Sequence, residues 1–231
     1  MSDTGSGGIE LISVHTPKCG GISLLSALKG TYGRGLFQDY QDFPASPTAR
    51  MHLDPDGFLQ DALASGYPWL AGKQAVHGHF WLRKYDRLTN AARITFLRHP
   101  VDRIISLYFY WRSVQDPDHP MVRYIAQHQP DIAAFANMEW IRADLTRRFF
   151  RNVTPADFDF IGFHEEMGEG ISRLSRLLGR DLAMPVQNIN DFPAYADEVA
   201  RIKGDPALMA RLEAAAAEEM RFYSAARERF C

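Results

Sequence analysis

Three segments of the 231-residue chain carry residue types that could do chemistry. The first is His15-Thr16-Pro17-Lys18-Cys19-Gly20-Gly21-Ile22-Ser23, where an apolar run turns through two glycines into a helical pattern. Such a turn aims several backbone N–H groups and the positive end of a helix at one point, and a lysine beside them completes an anion cradle. The lysine precedes the glycines, so this is not the G-x-x-x-x-G-K-[ST] phosphate loop. A plain strand-to-helix turn with a solvated lysine explains the same residues. In the second segment Arg98 follows the apolar run Ile94-Thr95-Phe96-Leu97, and Ser106 lies two turns into the next helical pattern. A guanidinium and a hydroxyl can share one phosphate, while an arginine at a strand end equally suits an internal ion pair. The third segment is His77-Gly78-His79. On a strand these two rings point to one face, which suits a general base with a helper, a metal pair or satisfied core histidines. No further ligands stand at zinc-like spacing, so no metal is expected. His15 joins the pair if its strand is central, whereas His52, His119 and His128 lack motif context and read as surface residues.

The elements that must hold these residues alternate. Residues 9–15 read as a buried strand, followed by a helix from Ile22 to Lys29 that Gly30 ends. Residues 33–67 are rich in Gly, Pro, Asp and Ser and read as a long loop with short helical pieces, of the kind that forms substrate lids. Strands are expected at 74–80, 93–97 and 158–163. Pro100 opens a helix with Val101, Ile104, Ile105 and Tyr108 on one face, and residues 121–151 read as two or three helices. A later helix carries Ile171, Leu174, Leu177 and Leu178 on one face and stops at Gly179, and residues 205–230 form a long amphipathic helix. This alternation predicts an α/β fold with a short central parallel sheet and helices on both faces. Residues 1–8 are expected to be a disordered tail and 9–231 a single domain.

Composition narrows the function. The chain has 46% hydrophobic and 23% charged residues, and 26 basic against 28 acidic residues leave a net charge of -2. That balance supplies no basic field, so a nucleic-acid partner is not expected and any anion site must be local. The two cysteines, Cys19 and Cys231, argue for a reducing compartment and against a disulfide framework. Neither a signal peptide nor a run of about 18 apolar residues is present, so the expected location is cytoplasmic, away from membranes. No feature specifies an oligomeric state.

Taken together and in this order, the three segments resemble the PAPS-dependent sulfotransferases, most closely the branch of heparan-sulfate 2-O-sulfotransferases and related carbohydrate sulfotransferases. Phe160-Ile161-Gly162-Phe163-His164-Glu165-Glu166 and Arg221-Phe222-Tyr223-Ser224-Ala225-Ala226 are similar to that family's closing segments. The resemblance implies a fold like that of P-loop nucleotide kinases, PAPS as co-substrate with PAP as product, and no metal. It assigns Pro17, Lys18, Cys19, Gly20, Gly21, Ile22 and Ser23 to the 5′-phosphosulfate loop, and Arg98 and Ser106 to the 3′-phosphate. It makes His79 the base, with His77 as the less favoured base or a substrate contact, and sets Lys18 beside the bond that breaks. Cys19 and Ile22 stand where the family usually has hydroxyl residues. The acceptor implied is a carbohydrate or a small molecule bearing a hydroxyl or amine. A P-loop kinase-like phosphotransferase and a non-catalytic nucleotide- or glycan-binding module remain as alternatives. An ordinary imidazole titrates at about 6.5, so a histidine base predicts that kcat/KM falls below a pKa of about 6 to 7.

Overall fold

Short β-branched and apolar runs, too short to stand alone, assemble into one sheet whose two faces are closed by helices. The computed structural model describes residues 8–44, 46, 48–183 and 194–231. Apart from Gly8, the expected N-terminal tail lies outside the described residues. In chain order the elements are β1 (Leu11–Val14), α1 (Gly21–Tyr32), β2 (Leu36–Asp39), α2 (Arg50–Leu53), α3 (Pro55–Ala64), β3 (Ala75–Gly78) and β4 (Ala92–Leu97). They continue with α4 (Pro100–Ser113), α5 (Pro120–His128), α6 (Ile132–Ala136), β5 (Phe160–Phe163), α7 (Met167–Leu178), α8 (Tyr195–Lys203) and α9 (Pro206–Phe230).

The strand order is β2-β3-β1-β4-β5, and every neighbouring pair is parallel. The period-2 alternation of strand side chains splits them between two cores. Leu11, Ala75, Ile94 and Phe160 face one side, where Leu24 and Leu28 of α1 and Ile171 and Leu174 of α7 cover them. Ile12, Val76 and Ile161 face the other, beneath Phe80, Phe149 and Ala226 of α9. A third cluster joins α4, α5, α6, α8 and α9 through Ile104, Ile125, Phe135, Ile202 and Leu212. The expected α/β architecture, with a parallel sheet and helices on both faces, is therefore the observed one.

Three local expectations are corrected. Gly30 does not end α1, because an exposed mid-helix glycine costs only about 1 kcal/mol; the helix runs on to Tyr32 and closes at Gly33, whose φ is +50°. The loop over 33–67 hides the edge strand β2, whose four residues are too few to show an alternation but pair with β3 from Leu36↔Ala75 to Asp39↔Gly78. Leu177 of α7 is exposed, because only Ile171 and Leu174 reach the core cluster in full.

That β2–β3 pairing leaves no room at Gly78, where an added Cβ would land on the backbone carbonyl of Asp39. Backbone cannot swing aside as a side chain can. Gly78→Ala should therefore lower stability by about 2–3 kcal/mol, a fall in Tm of roughly 4–12 °C for a chain of this size, as read by thermal unfolding.

Candidate active site

The chain leaves β1 toward the edge strand β2 but leaves β4 toward the opposite edge strand β5. The loops after β1 and β4 part at the carboxyl ends of the sheet, which is where open α/β folds bind ligands. Both expected anion-binding segments meet at that crevice. In the loop after β1, Lys18 adopts φ +63° and Gly20 φ +85°, a left-handed turn that favours glycine. Gly21 follows so closely on His15 that a Cβ would fall inside the imidazole ring. No side chain caps the start of α1 at Gly20, so its first N–H groups depend on backbone, water or ligand.

Arg98, just past β4, brings Nη1 to 3.5 Å from the carbonyl oxygen of Lys18. The Lys18 ammonium lies 4.6 Å from the centre of the Tyr110 ring. Neither cation has a carboxylate partner among the described residues. Burial, and then the nearby charge of Arg98, hold the Lys18 pKa below the ordinary lysine value. Two crowded cations beside a helix start fit a multiply charged anion. The other expected contacts differ in placement. Cys19 is fully buried, its thiol pushed up to about 11 by that burial, and its Sγ lies 3.6 Å from the Pro17 carbonyl oxygen. Ile22 is 58% exposed on the first turn of α1, whereas Ser23 and Ser106 are buried on α1 and α4.

On the other side of the loop lie the histidines. His15 sits at the end of the central strand and stacks on His77 at 5.0 Å between ring centres, with His79 at 4.5 Å. Ser13 Oγ is 2.9 Å from His77 Nδ1, and Tyr40 Oη is 2.9 Å from His15 Nδ1. Burial pushes His15 down to about 2, His77 to about 3 and His79 to about 4, and neighbouring imidazoles add to the effect at His15 and His77. The negative charge of Asp144 acts the other way on His79. The two members of the His-Gly-His segment are not equivalent. His77 is fully buried, while His79 lines a cavity of about 250 Å³ that Pro17 also lines. His79 Nε2 is buried without a hydrogen-bond partner.

Several residues of this site carried no sequence signal. Tyr40 and Phe43 follow the edge strand that the loop concealed, and Trp111, Trp140, Asp144 and Arg148 come from segments read only as helical. His119, expected at the surface, stacks on Trp111 at 4.5 Å and lines the same cavity. Arg103, inside the second segment, is fully buried between Glu219 of α9 at 2.7 Å and Asp144 at 3.2 Å. No group of three or more metal-ligating side chains occurs among the described residues. None of their helices is long and apolar enough to cross a membrane.

The family model described as "Sulfotransferase family" matches residues 7–196. The chain belongs to the sulfotransferase family. No curated protein is significantly similar to it in sequence. Among solved structures, this sulfotransferase is similar to the sulfotransferase from Alicyclobacillus acidocaldarius, at 18% identity and a TM-score of 0.42, over 89% of this chain and 94% of that one. It is also similar to a mouse sulfotransferase complexed with PAP, at 16% identity and a TM-score of 0.38, over 87% of this chain and 65% of that one. A third similarity is to retinol dehydratase in a complex with retinol and PAP, at 11% identity and a TM-score of 0.32, over 84% and 64% of the two chains.

The neutral histidines make this sulfotransferase sensitive to acid. Each imidazole is uncharged when folded and takes a proton near pH 6.5 when unfolded, so their contribution is complete above that value and is lost as pH falls toward the folded values. With up to three protons bound on unfolding, stability should fall by up to roughly 4 kcal/mol per pH unit between about pH 6 and pH 4. Urea midpoints that stay level across that interval would show that the three rings are not buried neutral.

Proposed function

We propose that this chain transfers a sulfuryl group from PAPS to a hydroxyl, with His79 as the general base. The observation that carries this reading is the junction at Pro17, which adjoins Lys18 in the two-cation crevice and lines the cavity that holds His79. One end fits a phosphorylated donor and the other a neutral acceptor. PAPS supplies a sulfuryl group bonded to its 5′-phosphate. Attack by the acceptor oxygen forms the new oxygen–sulfur bond as the bond to that phosphate breaks, with positioning and charge stabilisation supplying most of the catalysis. His79 Nε2 takes the acceptor proton, and the electron pair left on the phosphate oxygen is stabilised by Lys18 and the N–H groups of the turn. Arg98, with Ser106, takes the 3′-phosphate; Gly20, Gly21 and Ser23 complete the 5′ contacts, to which Cys19 and Ile22 contribute backbone. A sulfuryl group carries less negative charge than a phosphoryl group, so these donors suffice without a metal ion. Unpaired Cys19 and Cys231 suit a reducing, cytoplasmic setting. The resemblance points to a carbohydrate as the bearer of the hydroxyl.

Burial changes one expected property. A base already lowered to about 4 is neutral throughout the physiological range, so the acid limb moves below the interval of about 6 to 7 that an ordinary imidazole gives. Activity should stay level from about pH 8 to pH 6. His79→Ala should lower kcat by about 10²–10⁴-fold with little change in PAP affinity; an effect confined to the acceptor's KM would make His79 a binding residue. Arg98→Ala should weaken PAP about 10- to 100-fold by calorimetry, and much less an analogue without the 3′-phosphate. Equal weakening of both ligands would remove Arg98 from that role.

A further inference from the structure

His15 stands between the two halves of the site. Its backbone N–H donates to the Gly78 carbonyl at 2.7 Å. Its ring stacks on His77 and lies tilted against His79, 4.5 Å away between ring centres. On the donor side, the Cδ2–Nε2 edge of the ring fills the space that a Cβ on Gly21 would need. Gly21 is the first residue of α1, so this edge lies against the turn assigned above to the 5′-phosphate.

Tyr40 decides which ring nitrogen carries the hydrogen. Burial holds His15 down to about 2, so its imidazole is neutral and has one N–H. Burial also pushes the Tyr40 phenol up to about 12, so the hydroxyl keeps its proton. Tyr40 Oη is 2.9 Å from His15 Nδ1. An imidazole nitrogen is a stronger acceptor than a phenol oxygen, so the hydroxyl donates and the ring hydrogen is assigned to Nε2. The segment that carries Tyr40 is itself tied down. Lys84 Nζ donates to Asp39 and to Asp42, each at 2.7 Å, and Tyr85 Oη donates to Asp39 at 2.7 Å. Asp39 and Lys84 are buried, so a buried ion cluster on the edge strand keeps the Tyr40 hydroxyl on the imidazole.

We propose that His15 is a further catalytic residue, whose Nε2–H donates a hydrogen bond to an oxygen of the sulfuryl group as that group passes from donor to acceptor. The proposal rests on the sulfotransferase reading above and adds a residue to it. Sulfur must move from a phosphate held at Gly20 and Gly21 to an oxygen within reach of His79, and His15 touches both Gly21 and His79. Because Tyr40, His77 and the Gly78 carbonyl already hold His15, its N–H is aimed before the reaction starts and needs no reorganisation during it. His15 neither gains nor loses a proton. The acceptor proton goes to His79, and the electron pair of the breaking bond stays on the 5′-phosphate. The three imidazoles then have separate tasks: His79 is the base, His15 the N–H donor, and His77, fully buried with Nδ1 2.9 Å from Ser13 Oγ, the support on which His15 stacks.

PAPS carries the sulfuryl group and PAP lacks it, so the two ligands isolate this contact without an acceptor. Calorimetry on the full chain should show that His15→Leu weakens PAPS about 10-fold while PAP affinity stays within about 3-fold of wild type. His15→Gln, whose amide N–H reaches about as far as Nε2, should bring PAPS back to within about 3-fold of wild type. The tautomer is read separately, on the unaltered chain, from two-bond proton–nitrogen NMR correlations; His15 is identified among the eight histidines by the signal that His15→Gln removes. The expected pattern is that of Nε2–H, with a larger shift on adding PAPS than on adding PAP. An Nδ1–H or doubly protonated ring would overturn the proposal, as would equal weakening of PAPS and PAP or no weakening of either, and the donor reading would stand. Failure of the wild-type chain to bind PAP would overturn the donor reading and this proposal with it.

Discussion

A guanidinium with no exposure to water must be answered by carboxylates, and Arg103 meets that demand with partners from two distant parts of the chain. It is bonded to Glu219, 116 residues away on α9, and to Asp144. Burial opposes its charge, and Glu219 and Asp144 more than offset that cost, so its pKa lies above the ordinary arginine value. Glu219 also accepts the N–H of Leu145 at 2.9 Å, which fixes the start of the π-turn Leu145–Phe149. Such a cluster adds little net stability compared with a well-packed apolar one, but losing one partner costs about 3–5 kcal/mol because the rest stay buried and charged. Its effect is therefore one of register. It fixes α4, which follows the Arg98 loop, against α9 and against the Asp144 segment that walls the acceptor cavity. The charge of Arg103 is also felt by Cys19 at the back of the donor loop.

The site divides into two electrostatic halves that meet at Pro17. On the β4 side, Lys18 and Arg98 are crowded with no carboxylate partner among the described residues, so an anion would relieve their mutual repulsion. On the β3 side, three imidazoles pack so tightly that a proton on one raises the cost of a proton on the next. That arrangement keeps His79 free to accept a proton at neutral pH. In the proposed transfer, its low basicity would place proton transfer late, once the acceptor oxygen has begun to bond to sulfur and its proton has become acidic. Asp144 favours the imidazolium that then forms. The same carboxylate thus holds Arg103 in the interior and faces the base in the cavity.

What the sequence made legible was local chemistry tied to strand ends. Gly20 could be found because a strand-to-helix turn needs glycine where φ is positive, Lys18 and Gly21 because they adjoin that turn, and His77 and His79 because two residues on a strand share a face. His15 joins them because the strand order places β1 at the centre of the sheet, beside β3. The cavity could not be read in the same way. Its walls come from β2's exit, from α4 and α5, and from the Trp140 to Arg148 stretch, and none of these carries a pattern that states which side faces His79. Arg103 illustrates the limit: between Asp102 and Ile104 it looks like an ordinary helix-surface charge, and only the return of α9 across α4 buries it. The lowered basicity of His79 likewise has no sequence signal, since its burial against Phe149, Tyr40 and His15 is a property of the assembled site.

The two ways of anchoring side chains here also explain why the donor and acceptor sites differ in what sequence can say about them. A doubly phosphorylated donor is held through charge and backbone N–H groups, which a few residues at fixed spacing can supply on any parallel sheet. A molecule seated in the cavity beside His79 would be selected largely through shape, which depends on every residue that lines the volume. Replacing one wall residue changes the acceptor without disturbing the crevice, because Pro17 is the one lining residue that belongs to the donor loop. Selectivity can therefore shift through Phe43, Trp111 or Trp140 while Lys18 and Arg98 stay as they are. The reverse does not hold: a change at Lys18 or Gly20 alters the turn that positions Pro17, and with it the meeting point of donor and acceptor.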